Sequence, residues 1–116
     1  KVMKDFDLIR AKMGQMTTEL RAAELMCYEA AKLRNEGSDK ANLQTMMAKL
    51  MTTTITSKIT TEIMHLHGAV GLTESHSTQR FFRDAQVMEI IEGTTELQQV
   101  MIGNQFFVKG FDLFNE

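Results

Sequence analysis

One carboxylate in this sequence stands in a setting suited to proton transfer. In Ile90-Ile91-Glu92-Gly93-Thr94-Thr95-Glu96, Glu92 follows two large aliphatic residues and precedes a glycine. Apolar neighbours disfavour the charged form of a carboxyl group and so strengthen it as a base. A glutamate tuned in this way can abstract a proton near neutral pH. Gly93 lets the backbone turn and leaves room beside the carboxylate for a substrate. Alone, the same pattern also fits a solvated glutamate at a helix end, because glutamate is seldom fully buried.

Two further runs carry chemical potential. His65-Leu66-His67-Gly68-Ala69-Val70-Gly71 puts glycines at the end of a helical pattern, where backbone can approach a flat or phosphorylated ligand. A metal site is not expected there. Histidines two apart leave a helix on different faces, whereas a zinc pair needs a spacing of four. The competing reading is a plain helix stop at Gly68, with the histidines at the surface or packing. Arg80-Phe81-Phe82-Arg83-Asp84-Ala85 sets Arg80 one turn from Arg83 and Asp84. A weak surface ion pair accounts for that spacing, and Phe81 and Phe82 read as core residues. The sequence has no phosphate loop, Ser/His/Asp arrangement, cysteine cluster or dinucleotide fingerprint.

The elements that must position these residues read as helices. Phe6, Ile9, Met13, Met16, Leu20, Ala23, Cys27 and Ala30 recur at alternating spacings of three and four. Gly37 can end that helix in the left-handed conformation, and Ser38 or Asp39 can cap the next. A second helix is expected from about Lys40 to His67, burying Leu43, Met47, Met51, Ile55, Ile59, Ile63 and Leu66. Its threonines (Thr52, Thr53, Thr54, Thr56, Thr60 and Thr61) favour strand by propensity. The spacing of the aliphatic residues decides for helix. After Gly68 to Gly71 and a polar connection, Ser77 can cap a third helix carrying Phe81, Phe82, Ala85, Met88 and Ile91. Thr94 can cap a fourth, with Leu97, Val100, Met101 and Phe107 as core candidates. The tail Phe111 to Phe114 is apolar enough to fold back or meet a partner. The expected architecture is all-α: an antiparallel, up-down four-helix bundle with short loops, one domain over residues 1–116.

Composition agrees. Proline is absent, so nothing interrupts a helical hydrogen-bond ladder. Ten methionines point to an adaptable helical core. The net charge of -2 and the lack of a basic block argue against nucleic-acid or anionic-membrane binding. No apolar run is long enough to span a bilayer, and no secretory pattern appears. The single cysteine, Cys27, reads as a small buried hydrophobe. The first residue is Lys1 rather than Met, so an excised or trimmed fragment is expected.

Taken together, the run from His65 to Gln98 resembles the C-terminal domain of acyl-CoA dehydrogenases. The family's H-G-G-x-G, R-F-x-R-D-A and E-G-T-x-E-x-Q motifs are matched in order and spacing by H-G-A-V-G, R-F-F-R-D-A and E-G-T-T-E-L-Q. The resemblance implies that Glu92 is the base that removes the α-proton of an acyl-CoA thioester while hydride passes to FAD. It implies a substrate contact at Gly93 and FAD contacts at Thr94, Thr95 and Glu96. His65, Leu66, His67, Gly68 and Ala69 match a stretch that touches the FAD of a neighbouring subunit, which implies a homo-oligomer, dimer or tetramer. The implied electron acceptor is electron-transfer flavoprotein, in the bacterial cytoplasm or the mitochondrial matrix. His65, Ala69, Leu72, Gln99 and Asn104 depart from common family residues, which bears on cofactor geometry and acyl-chain preference. The family's N-terminal helical and middle β domains are not in this sequence, so the chain alone is expected to be inactive. An acyl-CoA oxidase of the same fold, or a non-catalytic helical interaction module, are the alternatives.

Overall fold

The computed structural model describes residues 2–109. The apolar tail from Phe111 to Phe114, and both ends of the expected 1–116 domain, lie outside them. The described residues form four α-helices and no strand: α1 (Asp7–Asn35), α2 (Ala41–His67), α3 (Thr78–Ile90) and α4 (Thr95–Lys109). Short 3-10 turns precede α1 at Met3–Asp5 and follow α2 at Gly68–Leu72.

Local chemistry accounts for these boundaries. Gly37 takes φ 69°. This lets Ser38 N–H donate to the Leu33 carbonyl at 2.9 Å and Gly37 N–H to Arg34 at 3.2 Å, closing the end of α1. Ser38 Oγ accepts from Lys40 N–H at 3.2 Å ahead of α2. Ser77 precedes α3 as expected but makes no side-chain cap, whereas Thr94 Oγ1 accepts from Leu97 N–H at 3.3 Å. The threonines of α2 stay helical by bonding back along their own helix. Thr52, Thr53 and Thr54 donate to the carbonyls of Ala48, Lys49 and Leu50 at 2.7–2.9 Å.

Helix α2 is the spine, packing against α1, α3 and α4. α1 runs antiparallel to it. Lys12 pairs with Glu62, Lys58 with Glu19 at 2.6 Å, and Arg34 with Thr45 at 3.2 Å, so numbers rise on one helix as they fall on the other. α3 lies on the C-terminal half of α2, where Gln86 donates to Ser57 at 2.7 Å. α4 lies towards its N-terminal half, where Gln105 and Lys109 flank Asn42, Leu43 and Met46. Small residues sit at the contacts (Ala23 and Ala30 from α1, Ala41 and Ala48 from α2, Ala85 from α3), with Met16, Leu43, Ile55 and Met64 filling between.

Much of the expected core is open. Phe6, Met13, Leu20, Cys27, Met51, Phe81, Met88, Ile91, Leu97, Val100, Met101 and Phe107 are exposed. A stripe that three or four helices would cover meets only α2 on α1, and α3 and α4 each meet it along one side. In α4 the buried residue is Gln98, not an aliphatic one. The radius of gyration is 17.3 Å, against about 13 Å for a compact chain of this length.

Candidate active-site turn

The α3–α4 junction is the most constrained piece of backbone in the molecule. α3 stops at Ile90, and Ile91 becomes extended (ψ 157°) while its N–H still donates to Val87 at 3.1 Å. Glu92 then takes φ 56° and Gly93 φ 94°. Glu92 is the one non-glycine residue with positive φ among the described residues. Such a conformation costs on the order of 1–3 kcal/mol and persists only where surrounding contacts impose it.

Those contacts are visible. The Gln98 side-chain amide donates to the Glu92 carbonyl at 3.3 Å. The Lys49 ammonium, from the N-terminal half of α2, donates to the Gly93 carbonyl at 2.5 Å. A Cβ at Gly93 would fall 2.7 Å from Gln98 Nε2, so a side chain there would push that amide aside, and φ 94° disfavours any residue but glycine. Neither Lys49 nor Gln98 was assigned a role from sequence. Gln98 closes the E-G-T-T-E-L-Q motif, and Lys49 is a lone charge in the apolar run Met46 to Met51. Those were the available signals.

The carboxylate's surroundings correct one expectation. Glu92 is exposed, and Ile90 and Ile91 are 66% and 44% exposed. Adjacent aliphatic side chains therefore do not enclose it. At a junction where the chain leaves one helix for another, they diverge into solvent instead of folding over their neighbour. Thr94 and Glu96 are exposed too. Thr95 is half-buried, and its Oγ1, like Gln98 Oε1, is out of solvent with no hydrogen-bond partner among the described residues. An orphaned polar atom beside the turn is a group a ligand or an adjoining surface could satisfy.

The second segment sits elsewhere. His65, His67, Gly68 and Ala69 are exposed and Leu66 is half-buried. Met64, His65, Gly68 and Leu72 line a pocket of about 260 Å³. His67 Nδ1 lies 2.8 Å from the Ile63 carbonyl, and its ring is 4.5 Å from that of His76. His67 therefore closes the helix end. Gly68 turns with φ 60° and ψ -148°, a region open essentially only to glycine. Between the two segments lies α3, 13 residues and roughly 20 Å long. The structure does not bring them together on one face. Arg80, Arg83 and Asp84 are exposed, and the Arg80 guanidinium stands 5.3 Å from the Phe81 ring centre.

Comparison with known proteins identifies the fold. Residues 1–107 match the family model described as acyl-CoA dehydrogenase, C-terminal domain. A subunit of the caffeyl-CoA reductase–Etf complex of Acetobacterium woodii is 32% identical over 94% of this chain and 28% of its own length. The mitochondrial short/branched chain specific acyl-CoA dehydrogenase of Bos taurus is 34% identical over 81% of this chain and 22% of its own. The structure of butyryl-CoA dehydrogenase from Megasphaera elsdenii superposes with a TM-score of 0.89 at 29% identity, covering 92% of this chain and 28% of that one. The chain thus spans less than a third of the relatives it matches. With its four helices, its motif order and these likenesses, it belongs to the acyl-CoA dehydrogenase family, to which it contributes the C-terminal helical domain.

Proposed function

We propose that this chain supplies the catalytic base of a flavin-dependent acyl-CoA dehydrogenase, and that Glu92 is that base. The observation carrying the reading is the Glu92–Gly93 turn: two consecutive positive φ values held by Lys49 and Gln98. A backbone conformation imposed on a carboxylate's own residue by side chains from two helices is what a positioned base requires. Desolvation of Glu92 then comes from outside the described residues. The exposed Ile90, Ile91 and Leu97 beside it form an apolar rim for the family's other domains and the acyl chain to cover.

In this reading the carboxylate of Glu92 takes the proton from the carbon next to the thioester carbonyl. Gly93, whose missing side chain leaves room for the Gln98 amide, lies next to the carboxylate where the family resemblance puts a substrate contact. FAD, held by the complete protein, supplies the hydride-accepting ring. The residues here fit a share in holding it: the unpartnered Thr95 hydroxyl, with Thr94 and Glu96, on one side and the open pocket beside His65 and Gly68 on the other. The family resemblance assigns His65 to Ala69 to the cofactor of a neighbouring subunit and so makes the protein a homo-oligomer, and the roughly 20 Å of α3 between the two segments accords with separate cofactors. The name of the Acetobacterium relative supports an electron-transfer flavoprotein partner. The bovine and bacterial relatives support a mitochondrial matrix or bacterial cytoplasmic setting.

That same relative is named a reductase, which favours a second direction for the same site. Run in reverse, Glu92 in its acid form returns the proton to the α-carbon as hydride reaches the β-carbon, and the double bond is saturated. Both directions need the same carboxylate.

The test is Glu92→Gln in the full-length flavoprotein, with flavin reduction by acyl-CoA followed anaerobically. The rate is expected to fall by about 10²–10⁴-fold with FAD content unchanged. Retention of the wild-type rate refutes the assignment.

A further inference from the structure

Given Glu92 as the base, an assignment on which this inference rests, the structure assigns to Lys49 the role of a positioning residue that sets the catalytic turn from the N-terminal half of α2. Glu92 is carried by four residues between helix ends, 91–94, with its aliphatic neighbours exposed. Side-chain packing therefore does little to hold the turn. What holds it is a pair of donors to consecutive carbonyls. Gln98, 7% exposed, reaches the Glu92 carbonyl from α4, and Lys49, half-buried, reaches the Gly93 carbonyl from α2.

The two grips differ in kind. Gln98 belongs to the helix that the turn itself starts, so its bond is local and moves with α4. Lys49 lies 44 residues away in sequence, on the helix that packs against all the others. Its bond is the one that refers the turn to the fixed frame of the fold. A partly buried ammonium spends some of its hydration. Here its hydrogen bond goes to a backbone carbonyl, and a charged donor makes that bond stronger than a neutral amide would. A surface lysine kept for solubility would not reach inward in this way. Proton abstraction tolerates about 0.5 Å of displacement in a catalytic group, and Glu92, a non-glycine residue at φ 56°, occupies a backbone region that relaxes once released.

The experiment uses the full-length flavoprotein and a panel of butyryl-, 2-methylbutyryl- and 3-phenylpropionyl-CoA, the fastest serving as probe. Lys49→Met removes the donor at nearly constant length. It is expected to lower the saturating rate of flavin reduction about 10–100-fold, with acyl-CoA Kd, FAD content and melting temperature unchanged. The isotope effect on α-deuterated substrate should rise. Lys49→Arg, which keeps a charged donor, should return the rate to within a few-fold of wild type. Lys49→Gln, with a shorter neutral donor, should fall between. A Lys49→Met rate within two-fold of wild type, or a loss matched by equal loss of FAD or of acyl-CoA binding, overturns the inference. If that occurs while Glu92→Gln is inactive, only the positioning role fails. If Glu92→Gln retains its rate, the base assignment fails and takes this role with it.

Discussion

Adding one methyl group at Gly71 should destabilise the protein, whereas adding the same methyl at Gly14 should stabilise it. Gly71 is buried in the 3-10 turn where α2 gives way to the approach to α3. A Cβ built there would lie 2.9 Å from both His67 Cβ and the Met64 carbonyl oxygen, and 3.2 Å from Thr78 Oγ1. Non-bonded carbon contacts settle near 3.5–4.0 Å, so the methyl intrudes by about half an ångström or more. Two of the three obstacles cannot rotate aside. The third, Thr78 Oγ1, already donates to the Gly71 carbonyl at 2.8 Å and would surrender that bond by moving. Overpacking of this kind costs about 1–3 kcal/mol, and stiffening of the unfolded chain returns about 0.4–1 kcal/mol. The net loss is about 1–2 kcal/mol. At Gly14, exposed within α1, a Cβ meets nothing within 4 Å, and the gain in helix propensity is about 0.5–1 kcal/mol. Urea unfolding followed by far-UV circular dichroism measures both. With a slope near 1.5 kcal/mol per molar, Gly71→Ala lowers the midpoint by about 1 M and Gly14→Ala raises it by about 0.5 M. A Gly71→Ala midpoint at or above wild type refutes the steric account of this turn.

Two other perturbations follow from the same geometry. Lys58 and Gln15 hydrogen-bond Glu19, and Lys12 hydrogen-bonds Glu62, holding both carboxyl groups below the usual glutamate value. Depressed carboxylates stabilise above their unfolded value and lose that contribution as pH falls through the folded one. The melting temperature should therefore be flat from about pH 6 to 7 and decline on acidification below about 4.3, less steeply in Glu19→Gln/Glu62→Gln; identical acid profiles for wild type and double variant contradict this. Gly68→Val should reduce FAD retained by the full-length protein. The cause is backbone conformation and not crowding, since a Cβ at Gly68 meets nothing within 4 Å while φ is +60°; unchanged flavin content rules it out.

Helix positions were legible because their signals are local. Apolar spacing located α2 to within a residue, and Gly37, Gly68 and Gly93 mark the ends of α1, α2 and the Glu92 turn with the positive φ that glycine permits. Burial was much less legible. The stripe from Phe6 to Ala30 is helical as read, yet only Met16, Ala23 and Ala30 of it are buried. Periodicity reports which face of a helix is apolar and says nothing of how many neighbours arrive to cover it. The candidate site divides in the same way. Glu92 and Gly93 stood out by residue type, but Ile90 and Ile91 are exposed and do not give the shielding expected of them.

By itself, then, the sequence determined the helices, their stops and the family motifs, and singled out Glu92 as the carboxylate proposed here as the base, since each depends on side chains within a turn or two of one another. The tertiary structure alone decided that α2 is the spine and that Gln98 is the buried residue of α4. It also decided that the turn bearing Glu92 is pinned by a lysine from another helix. A hydrogen bond across 44 residues has no local signature. It exists only because packing carries the N-terminal half of α2 to the place where α3 ends and α4 begins.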